Sequence, residues 1–443
     1  MDISRAKRGA FYLWLEESFG VVVDEADRKY WKVEESTFPT DRTKKSGNDV
    51  TIGDDEDRGV HLRNPASITV KSQFHPICRL FPTSEFDMDN DPIPPDSSAL
   101  YASLGGVVVG KKTLTAAGST ASMIQLAEDA YIATPSESFP PGSMLVVHSA
   151  SNQRSNVLAA ARVKSVDDVL RQVTLTAPLP PLACNPPTVT LAAGLVVHGI
   201  LSFYKKPLPS AITVGMERKG EKEFDMKRAI GAVPSSCKIE FPNDDTASIT
   251  FSFNAAKIFS PKELDAAGEL GVPVDEAFPF PDAPQAFCGG LWAYIKTSTA
   301  EVNTPVHGSF SIDLGIEANP LRGCHDTDPN GVAGWSVIAR KIRVSMTPFY
   351  VGSVPFGLYD PEENDIEQFT VTGWAGPRGE CFAFCVPAAE LQSNLDEGDS
   401  GGDKTLDLVV SAGQWLGDGD GETDYEDDES GNKPFVCGWL AGS

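Results

Sequence analysis

Apolar and polar residues alternate along much of this 443-residue sequence, and this period of two limits the fold more than any other feature. Successive side chains of a β-strand point to opposite faces, so the alternation predicts strands that bury one face. Three predicted strands have such one-faced sets: Ala66, Ile68, Val70, Ser72 and Phe74; Phe310, Ile312, Leu314 and Ile316; Ile342, Val344 and Met346.

A β-hairpin is predicted where two alternating segments flank a reversal. The segment from Cys237 to Phe241 is followed by Pro-Asn-Asp-Asp, and the segment from Ile249 to Phe253 comes next. Asn243 tolerates the backbone conformations that a turn requires. The two segments are therefore predicted to pair.

Helical signals are few. Residues 96–104 begin with a capping sequence and end at Gly105-Gly106, which predicts one short helix. A capping box with proline at the first helical position begins at Ser260 and predicts a second. The sequence therefore predicts a mainly-β fold with one or two short helices and long loops.

The chain exceeds the usual size of a single hydrophobic core, so we expect more than one folding unit. Short predicted strands between proline and glycine turns mark residues 114–196 as an inserted small β-module. Residues 1–113 and 197–443 then form one discontinuous β-domain. Within it, residues 396–434 are predicted to be an acidic, loop-rich segment, since eight carboxylates lie between Asp418 and Glu429.

The charge balance argues against nucleic-acid binding. The chain has 62 acidic and 37 basic side chains, a net charge of −25. DNA carries one negative charge per roughly 1.7 Å of helix axis, so an acidic surface repels it. A protein that surrounds moving DNA could use such repulsion, and the net charge predicts an acidic lumen in that case. The longest apolar runs, 194–204 and 104–110, fall short of the ~20 residues of a membrane helix, and folding in the cytoplasm of the producing cell is predicted.

No constellation of residues predicts an enzyme or a cofactor site. The eight cysteines are scattered without a CxxC pair and are predicted to be buried thiols. Cys381 and Cys385 share a strand face but lack the second ligand pair that zinc needs. Phosphate loops, dinucleotide fingerprints and HExxH motifs do not occur in the sequence.

The segment Gly398-Asp-Ser-Gly-Gly402 matches the nucleophile loop of chymotrypsin-like serine proteases, with Ser400 as the candidate nucleophile. Such an enzyme also needs a histidine base and an orienting aspartate. None of the six histidines follows the Ala-Ala-His-Cys sequence of that family. We therefore interpret Gly398–Gly402 as a turn.

Two acidic segments resemble calcium loops without completing the pattern. The segment beginning Asp326-Thr-Asp328-Pro-Asn330 has Val337 where a bidentate glutamate is needed. The second segment has Thr423 in place of the glycine of the sharp turn. If a metal binds anywhere, the second segment is favoured, and its candidate ligands are Asp418, Asp420, Glu422, Asp424 and Glu429. Ordinary acidic turns are the simpler interpretation of both.

Several segments in order resemble the tail tube protein family of long-tailed bacteriophages. The most specific are ITVGMERKG at 212–220, KRAIGAVPSSCKIEF at 227–241 and TASITFSFNAAK at 246–257, which are similar to the family's glycine-led hairpin. Weaker similarity lies at 5–18, 63–74, 100–106, 310–320 and 339–349, and residues 114–196 resemble a module of longer members. The acidic C-terminal segment departs from the family pattern.

The resemblance implies a tail-tube-type β-sandwich or barrel whose sheets join side by side into hexameric rings, which stack into a tube. Such a virion protein is made in the host cytoplasm and encloses the tape-measure protein. It meets the tail terminator and the tail-tip or baseplate proteins, and genomic DNA passes through it without specific binding. Neither catalysis nor a membrane is expected.

The segment from Thr37 to Leu62 is predicted to be a long loop that contacts the neighbouring ring. Its candidate contact residues are Arg42, Lys44, Lys45, Asp54, Asp55 and Asp57. A weak similarity between residues 68–81 and 342–356 leaves open an internal duplication, with which three chains would build a pseudo-sixfold ring. The alternatives are another virion protein, such as a terminator, sheath or head decoration, and a protease using Ser400.

Overall fold

The structure is a computed structural model, and it describes residues 9–16, 18–20, 29–31, 33–37, 42–45, 60–63, 65–73, 99–100, 103–108, 112–128, 134–148, 157–179, 195–205, 212–219, 224–242, 245–259, 290–297, 301–323, 329–349, 369–376, 380–392, 396–400, 403–413 and 434–441. Most of these residues lie in antiparallel strands, which confirms the predicted mainly-β fold. Residues 99, 100, 103 and 104 are helical, as predicted. The helix predicted to begin at Ser260 lies outside the described residues.

The strands of the first half are β1 (Gly9–Leu15), β2 (Lys29–Trp31), β3 (Glu35–Thr37), β4 (Arg42–Lys45), β5 (Val60–Arg63), β6 (Ala66–Gln73), β7 (Gly105–Val108), β8 (Lys112–Leu114), β9 (Met123–Gln125), β10 (Met144–His148), β11 (Ala159–Asp167), β12 (Gln172–Leu175) and β13 (Val196–Gly199). The later strands are β14 (Leu201–Lys205), β15 (Ile212–Lys219), β16 (Phe224–Pro242), β17 (Ser248–Phe259), β18 (Trp292–Lys296), β19 (Glu301–Arg322), β20 (Val332–Pro348), β21 (Phe369–Ala375), β22 (Glu380–Leu391), β23 (Asp396–Ser400), β24 (Asp403–Ala412) and β25 (Val436–Ala441). One short helix, α1 (Pro135–Ser138), and one 3-10 turn, Pro329–Gly331, complete the labelled elements.

Seventeen strands form one hydrogen-bonded network, and two circuits can be traced within it: the chain from β2 to β3 completes the first, and strand pairing alone closes the second. In the first, β1 pairs with β15, β15 with β16, β16 with β17, β17 with β6 and β6 with β3. Strand β2, which precedes β3 in the chain, pairs back with β1. In the second circuit the order is β18, β19, β20, β24, β22 and β21, which returns to β18. We call them the first and second barrel.

The second barrel repeats the first in chain order and in register. Strands β1, β2 with β3, β6, β15, β16 and β17 correspond to β18, β19, β20, β21, β22 and β24. In the first barrel Ile212 lies opposite Ala232 and, after a register shift, Val214 lies opposite Ala229. The same shift recurs in the second barrel, where Phe369 lies opposite Ala389 and Val371 opposite Val386.

One further pair supports the correspondence: Ala232 lies opposite Ala255, and Ala389 lies opposite Ala412. The displacement along the sequence is the same in each case (212 to 369, 232 to 389, 255 to 412). The described strands therefore contain a tandem duplication of a six-stranded barrel.

The predicted alternation explains how the barrels bury their core. In β17, every second residue from Ile249 to Ala255 is buried, and the residues between them are half-buried. The predicted hairpin is confirmed, since Cys237 lies opposite Phe251 and Ile239 opposite Ile249. Buried side chains from both barrels form one continuous cluster.

A separate six-stranded sheet, in the order β8-β13-β10-β11-β12-β9, is built from residues within 112–199. It has its own apolar cluster, which includes Ile124, Leu145 and Val173. A third cluster joins this sheet to the second barrel through residues such as Val146 and Trp374. These strands occupy the span predicted as the inserted module.

Three segments predicted to be loops or turns contain strands. The span from Thr37 to Leu62 includes β4, which pairs with β5 from Arg42 opposite Arg63 to Lys45 opposite Val60. Gly398–Ser400, interpreted as part of a turn, lies in β23 and pairs with β24. Residues 396–400 and 403–405, in the segment expected to be rich in loops, are likewise strand, and Leu406–Val410 lies in β24 as predicted. Pairing with a neighbouring strand satisfies the backbone polar groups of these segments, which outweighs their low strand propensity.

Candidate assembly interface

The two barrels meet where residues 236–242 of β16 pair with residues 309–315 of β19. The core face of this join is apolar and fully packed. The rings of Phe241 and Phe382 pack at a tilt of 32° with centroids 4.3 Å apart, and Phe310 contacts Phe384 edge to face at 5.4 Å. The buried side chains at the join are Cys237, Ile239, Phe241, Phe310, Ile312 and Leu314. The join is therefore part of the protein core.

The other face of the same join is polar. Lys238 lies opposite Asp313, and Asp313 lies opposite Arg343 on the next strand, so a carboxylate stands between two cations. Lys238 also forms an ion pair with Glu240 at 2.5 Å, and the two side chains are 49% and 41% exposed. Exposed pairs of this kind contribute about 0–1 kcal/mol each. Apolar packing on the core face, and not these charges, stabilises the join.

The join unites parts of both barrels in one eight-stranded antiparallel sheet. Its order is β3, β6, β17, β16, β19, β20, β24 and β23. Within the described ranges, β3 pairs only with β6, and β23 pairs only with β24. An edge strand presents unpaired N–H and C=O groups that can template another strand. Among the described strands, the edges of the sheet are therefore β3 and β23, which lie in different barrels.

The face of this sheet away from the core, the polar face, is rich in hydroxyl groups. Its described side chains include Ser67, Thr69, Ser236, Thr250, Ser252, Asn254, Ser311, Ser345, Thr347 and Ser411. Its described charged side chains include Lys71, Lys238, Lys341 and Arg343 against Glu35, Glu240, Asp313, Glu317, Asp403 and Asp407. Four cations thus face six carboxylates in this set. The large acid excess of the chain is not concentrated among these side chains.

The hairpin of β19 and β20 extends beyond the second barrel and contacts the first. The Trp335 indole N–H donates to the carbonyl of Gly231 at 2.8 Å, and the Asn330 amide donates to the carbonyl of Ala256 at 3.0 Å. Gly231 has a φ of +57°, and its N–H donates to the buried Glu16 carboxylate at 2.9 Å. Both barrels are therefore held by this extension as well as by the strand join.

Arg340, at the base of this extension, donates from its guanidinium to the carbonyl of Leu104 at 2.8 Å. Leu104 is the last helical residue before Gly105, whose φ is +92°. A cation at a helix C-terminus satisfies a carbonyl that has no partner within the helix. Desolvation by burial lowers the pKa of Arg340, yet the arginine stays charged because its pKa starts far above neutrality.

Three of the predicted inter-ring contact residues, Arg42, Lys44 and Lys45, belong to β4, which forms a two-stranded ribbon with β5. The sequence of the ribbon is basic, with His61 and Arg63 on β5. This ribbon corresponds to the β19–β20 extension. The ribbon connects β3 to β6 in the first barrel, and the extension connects the matching strands β19 and β20 in the second. The structure does not describe residues 46–59, which include Asp54, Asp55 and Asp57.

The protease motif is built into the sheet. Ser400 ends β23 and lies opposite Asp403. His307 contacts Phe349 edge to face with ring centroids 5.6 Å apart, and Phe349 forms an isolated β-bridge with Thr405. The side chain of Ser400 is not among those that the structure describes, and no Ser-His-Asp relay is assembled among the described side chains.

The metal candidates are not brought together by any described residues. Asp418, Asp420, Glu422, Asp424 and Glu429 lie outside the described ranges, as do Asp326 and Asp328. Asn330, from the first calcium-like segment, has a φ of +51° and binds a backbone carbonyl through its amide. Where the structure describes side chains, no group of three or more His, Cys, Asp or Glu could hold a metal ion.

Two titratable groups with strongly raised pKa values are structural in character. The hydroxyl of Tyr294 donates to Glu301 at 3.1 Å, and burial together with this carboxylate raises its pKa. Burial alone raises the pKa of Cys437. The Glu301 carboxylate disfavours the phenolate of Tyr294 and burial disfavours the thiolate of Cys437, so neither group is activated as a nucleophile. In the described part of the chain, no helix is long and apolar enough to span a bilayer.

The edge strands β3 and β23 were missed by reasoning from the sequence. Glu35–Thr37 is too short to show alternation, and Asp396–Ser400 has the composition of a turn. The sequence similarity between β6 and β20 was a usable signal, because it would have predicted two copies of one sheet. No protein-family model matches the chain, and no curated protein matches it.

Proposed function

We propose that this protein is a structural virion protein that assembles head to tail into rings, and that the rings stack into the tail tube of a long-tailed bacteriophage. The observation that carries the proposal is the eight-stranded sheet, which joins two equivalent barrels edge to edge and, among the described strands, has its edge strands β3 and β23 in different barrels. The resemblance of residues 212–257 to the tail tube family supports the same conclusion.

The duplication bears on the stoichiometry of the ring. A hexameric ring of single-barrel subunits needs six barrels, and this chain supplies two. Three chains then suffice for a pseudo-sixfold ring, in which the sheet of each chain continues into the next. Sheets that close on themselves have no free edges, so closure also removes a site of aggregation.

In such a ring the polar face becomes the wall of the conduit. The apolar face of the sheet is buried in the barrels, so only the hydroxyl-rich face is free to line a lumen. Its cations alternate with carboxylates, for instance Asp313 between Lys238 and Arg343, so phosphates find no net positive surface to bind. The net charge led us to expect a strongly acidic conduit. We propose a weaker form of this expectation, in which the wall of the conduit has no net attraction for DNA.

The tube would enclose the tape-measure protein before DNA passes, and its ends would meet the tail terminator and the tail-tip or baseplate proteins. A terminator, sheath or head decoration protein is the second candidate. Such proteins would share acidity and β-content, but we expect stacked rings closed by this eight-stranded sheet from a tube protein only. Tube formation by the isolated protein therefore separates the two candidates.

The experiment is electron microscopy with mass measurement on the purified protein. We expect rings with sixfold-like density viewed down the axis, and stacks of such rings. A ring of three 47.4 kDa chains has a mass of about 142 kDa. A protein that remains a 47.4 kDa monomer at high concentration and under crowding would contradict the proposed function.

A further inference from the structure

We propose that β25 is a latch that fixes the inserted module, the six-stranded sheet within residues 112–199, on the second barrel. When β25 leaves its place, the module undocks from the barrel, while both barrels and the module sheet stay folded. The inference concerns the position of the module within one chain. It therefore goes beyond the proposed function and does not depend on it.

Strand β25 lies between a barrel strand and a strand that leaves the module. On one side Val436 lies opposite Cys385 of β22, in the second barrel. On the other side Val436 lies opposite Tyr204 of β14, which follows the module strand β13 in the chain. Strand β14 also pairs with β7, which precedes the module. Among the described strands, only β25 joins these two connecting strands to a barrel.

The side chains of β25, with the residue before it, alternate between two apolar clusters. Phe435 and Cys437 are buried in the cluster that the two barrels share. Val436 is buried in the cluster that joins the module to the second barrel. This arrangement follows from strand geometry, because successive side chains point to opposite faces. One face of β25 thus packs into the barrel, and the other packs into the contact with the module.

The module covers the face of β22 that points away from the barrel core. Module strands β10 and β11 lie against β21 and β22, and β10 also lies against β25. Cys381 and Cys385 of β22 belong to the same apolar cluster as Met144 and Val146 of β10. Each of the two thiol side chains is 1% exposed. Undocking of the module would therefore uncover both thiols.

Hydrogen bonds tie the base of the module to β14. The N–H of Met144 donates to the hydroxyl of Ser202 at 3.0 Å, and this hydroxyl donates to the carbonyl of Ile200 at 3.0 Å. The N–H of Ile200 donates to the carbonyl of Met144 at 3.1 Å. Ser202 itself lies opposite Gly438 of β25. The module strand β10 is therefore coupled to β25 through a single residue of β14.

Neither the second barrel nor the module needs β25 to complete its own strand pairing. The circuit of the second barrel runs through β18, β19, β20, β24, β22 and β21. The module sheet also lacks β25, and it has an apolar cluster of its own. Proteins open locally in cooperative units that often coincide with small groups of strands. Strands β25, β14 and β7 form such a unit.

The test uses four native thiols as reporters of three places. Cys381 and Cys385 report the contact with the module, Cys437 reports β25, and Cys237 reports the core of the joined barrels. Gly438→Pro weakens the latch, because proline removes a backbone N–H from a strand that is paired on both sides. Gly438→Ala is the matched control, since it also adds a Cβ atom but keeps the N–H.

The proteins receive a short pulse of iodoacetamide, and peptide mass spectrometry locates the label. The wild-type protein should leave these four thiols unlabelled. In Gly438→Pro we expect Cys381, Cys385 and Cys437 to react together, at least about tenfold faster than in Gly438→Ala, while Cys237 stays protected.

Equal rates in the two variants would overturn the inference. Labelling of Cys437 without Cys381 and Cys385, or the reverse, would also overturn it, because β25 and the module would then move separately. Reaction of Cys237 at the same rate as the others would overturn it as well, since β25 would then hold the barrel core together.

Hydrogen exchange on the wild-type protein decides the question if Gly438→Pro does not fold. In urea below the main unfolding transition, the amides of β7, β14 and β25 should lose protection together, before those of β11 and β19. Loss of protection by all five strands in one step would overturn the inference. Neither measurement depends on ring formation, so the outcome is separate from that of the proposed function.

Discussion

Substituting Gly373 by alanine tests whether the barrels are close-packed where the internal join is anchored. Gly373 lies in β21, opposite Phe384 of β22. A Cβ atom at this position would lie 2.5 Å from Cζ of Phe384 and 3.2 Å from Cζ of Phe310. Since Phe310 belongs to the β16–β19 join, an added methyl group would press on the join through the Phe384 ring.

The size of the effect follows from the packing around that ring. Phe384 is fully buried, and its ring stands at 88° to that of Phe310. It can therefore move only by displacing another core side chain. Overpacking of this kind costs about 1–3 kcal/mol, while replacing glycine restricts the unfolded chain and returns about 0.4–1 kcal/mol. We expect Gly373→Ala to lower the free energy of unfolding by about 1–2 kcal/mol.

The assay is urea unfolding of dissociated chains, followed by tryptophan fluorescence and by far-UV circular dichroism. Coincidence of the two curves checks that a single transition is measured. Gly334→Ala is the control, because the nearest heavy atom to its added methyl group, Cδ1 of Leu321, lies at 3.9 Å. The control should unfold at an unchanged or higher urea concentration.

Equal stability of Gly373→Ala and the wild-type protein would refute this reasoning. It would mean that Phe384 can rotate freely, and that the aromatic contacts behind the join are not close-packed. Strong destabilisation by Gly334→Ala would also refute this reasoning. It would show that alanine is disfavoured in these strands for reasons other than lack of space.

Four further predictions follow from the structure and the sequence. Ser400→Ala should assemble like the wild-type protein, and a fluorophosphonate probe should leave Ser400 unlabelled; covalent labelling would revive the protease. Deleting residues 44–57 should give rings that do not stack in electron micrographs, whereas normal tubes would contradict the predicted inter-ring contact. Asp313→Asn in phage should leave the rate of DNA ejection unchanged, but lysines at Ser252, Ser311 and Ser345 together should slow it relative to glutamines at the same positions; equal rates would exclude the polar face from the conduit. Because burial raises the pKa of Cys437, this thiol stays protonated at pH 8 and should react with iodoacetamide only after unfolding, as peptide mass spectrometry can check; labelling of the native protein would contradict its burial.

Alternation predicted the parts of the fold whose strands are long and bury one face. β6, β17 and the middle of β19 show it clearly, and the β16–β17 hairpin could be predicted because a turn sequence separates its two halves. The signal comes from burial, which acts on each strand separately. It does not say which strand lies beside which, because many partners can cover the same apolar face.

The duplication was nearly hidden for the same reason. The sequence suggested that Ile68 matches Ile342, but the register matches Ile68 with Val344, which lie opposite the equivalent residues Phe253 and Val410. A displacement of two residues preserves the buried face, so both alignments satisfy the hydrophobic pattern. Only the hydrogen-bonded partners distinguish them.

The edge strands β3 and β23 could not be predicted, because their residues are selected for something other than burial. At the internal join, Ile239 lies opposite Ile312 and both are buried. Leu406 of β24 is equivalent to Ile249 of β17, and opposite it β23 has Glu397 where β16 has Ile239. The glutamate removes the apolar signal of a strand. The acidity of that segment therefore suggested a loop.

The fused join changes how rings would be nucleated. Two barrels in one polypeptide meet at an effective concentration in the millimolar range, whatever the concentration of the protein in the cell. Half of the seams in a three-chain ring would then be complete when each chain folds, and only the other half would wait for collision. The seam within each chain is apolar, and it is permanent because one polypeptide supplies both strands. The seams between chains involve β23, which carries Asp396, Glu397 and Asp399. Repulsion between the acidic β23 strands of free subunits would slow ring closure in the cytoplasm. A template that gathers the chains would then decide when rings form.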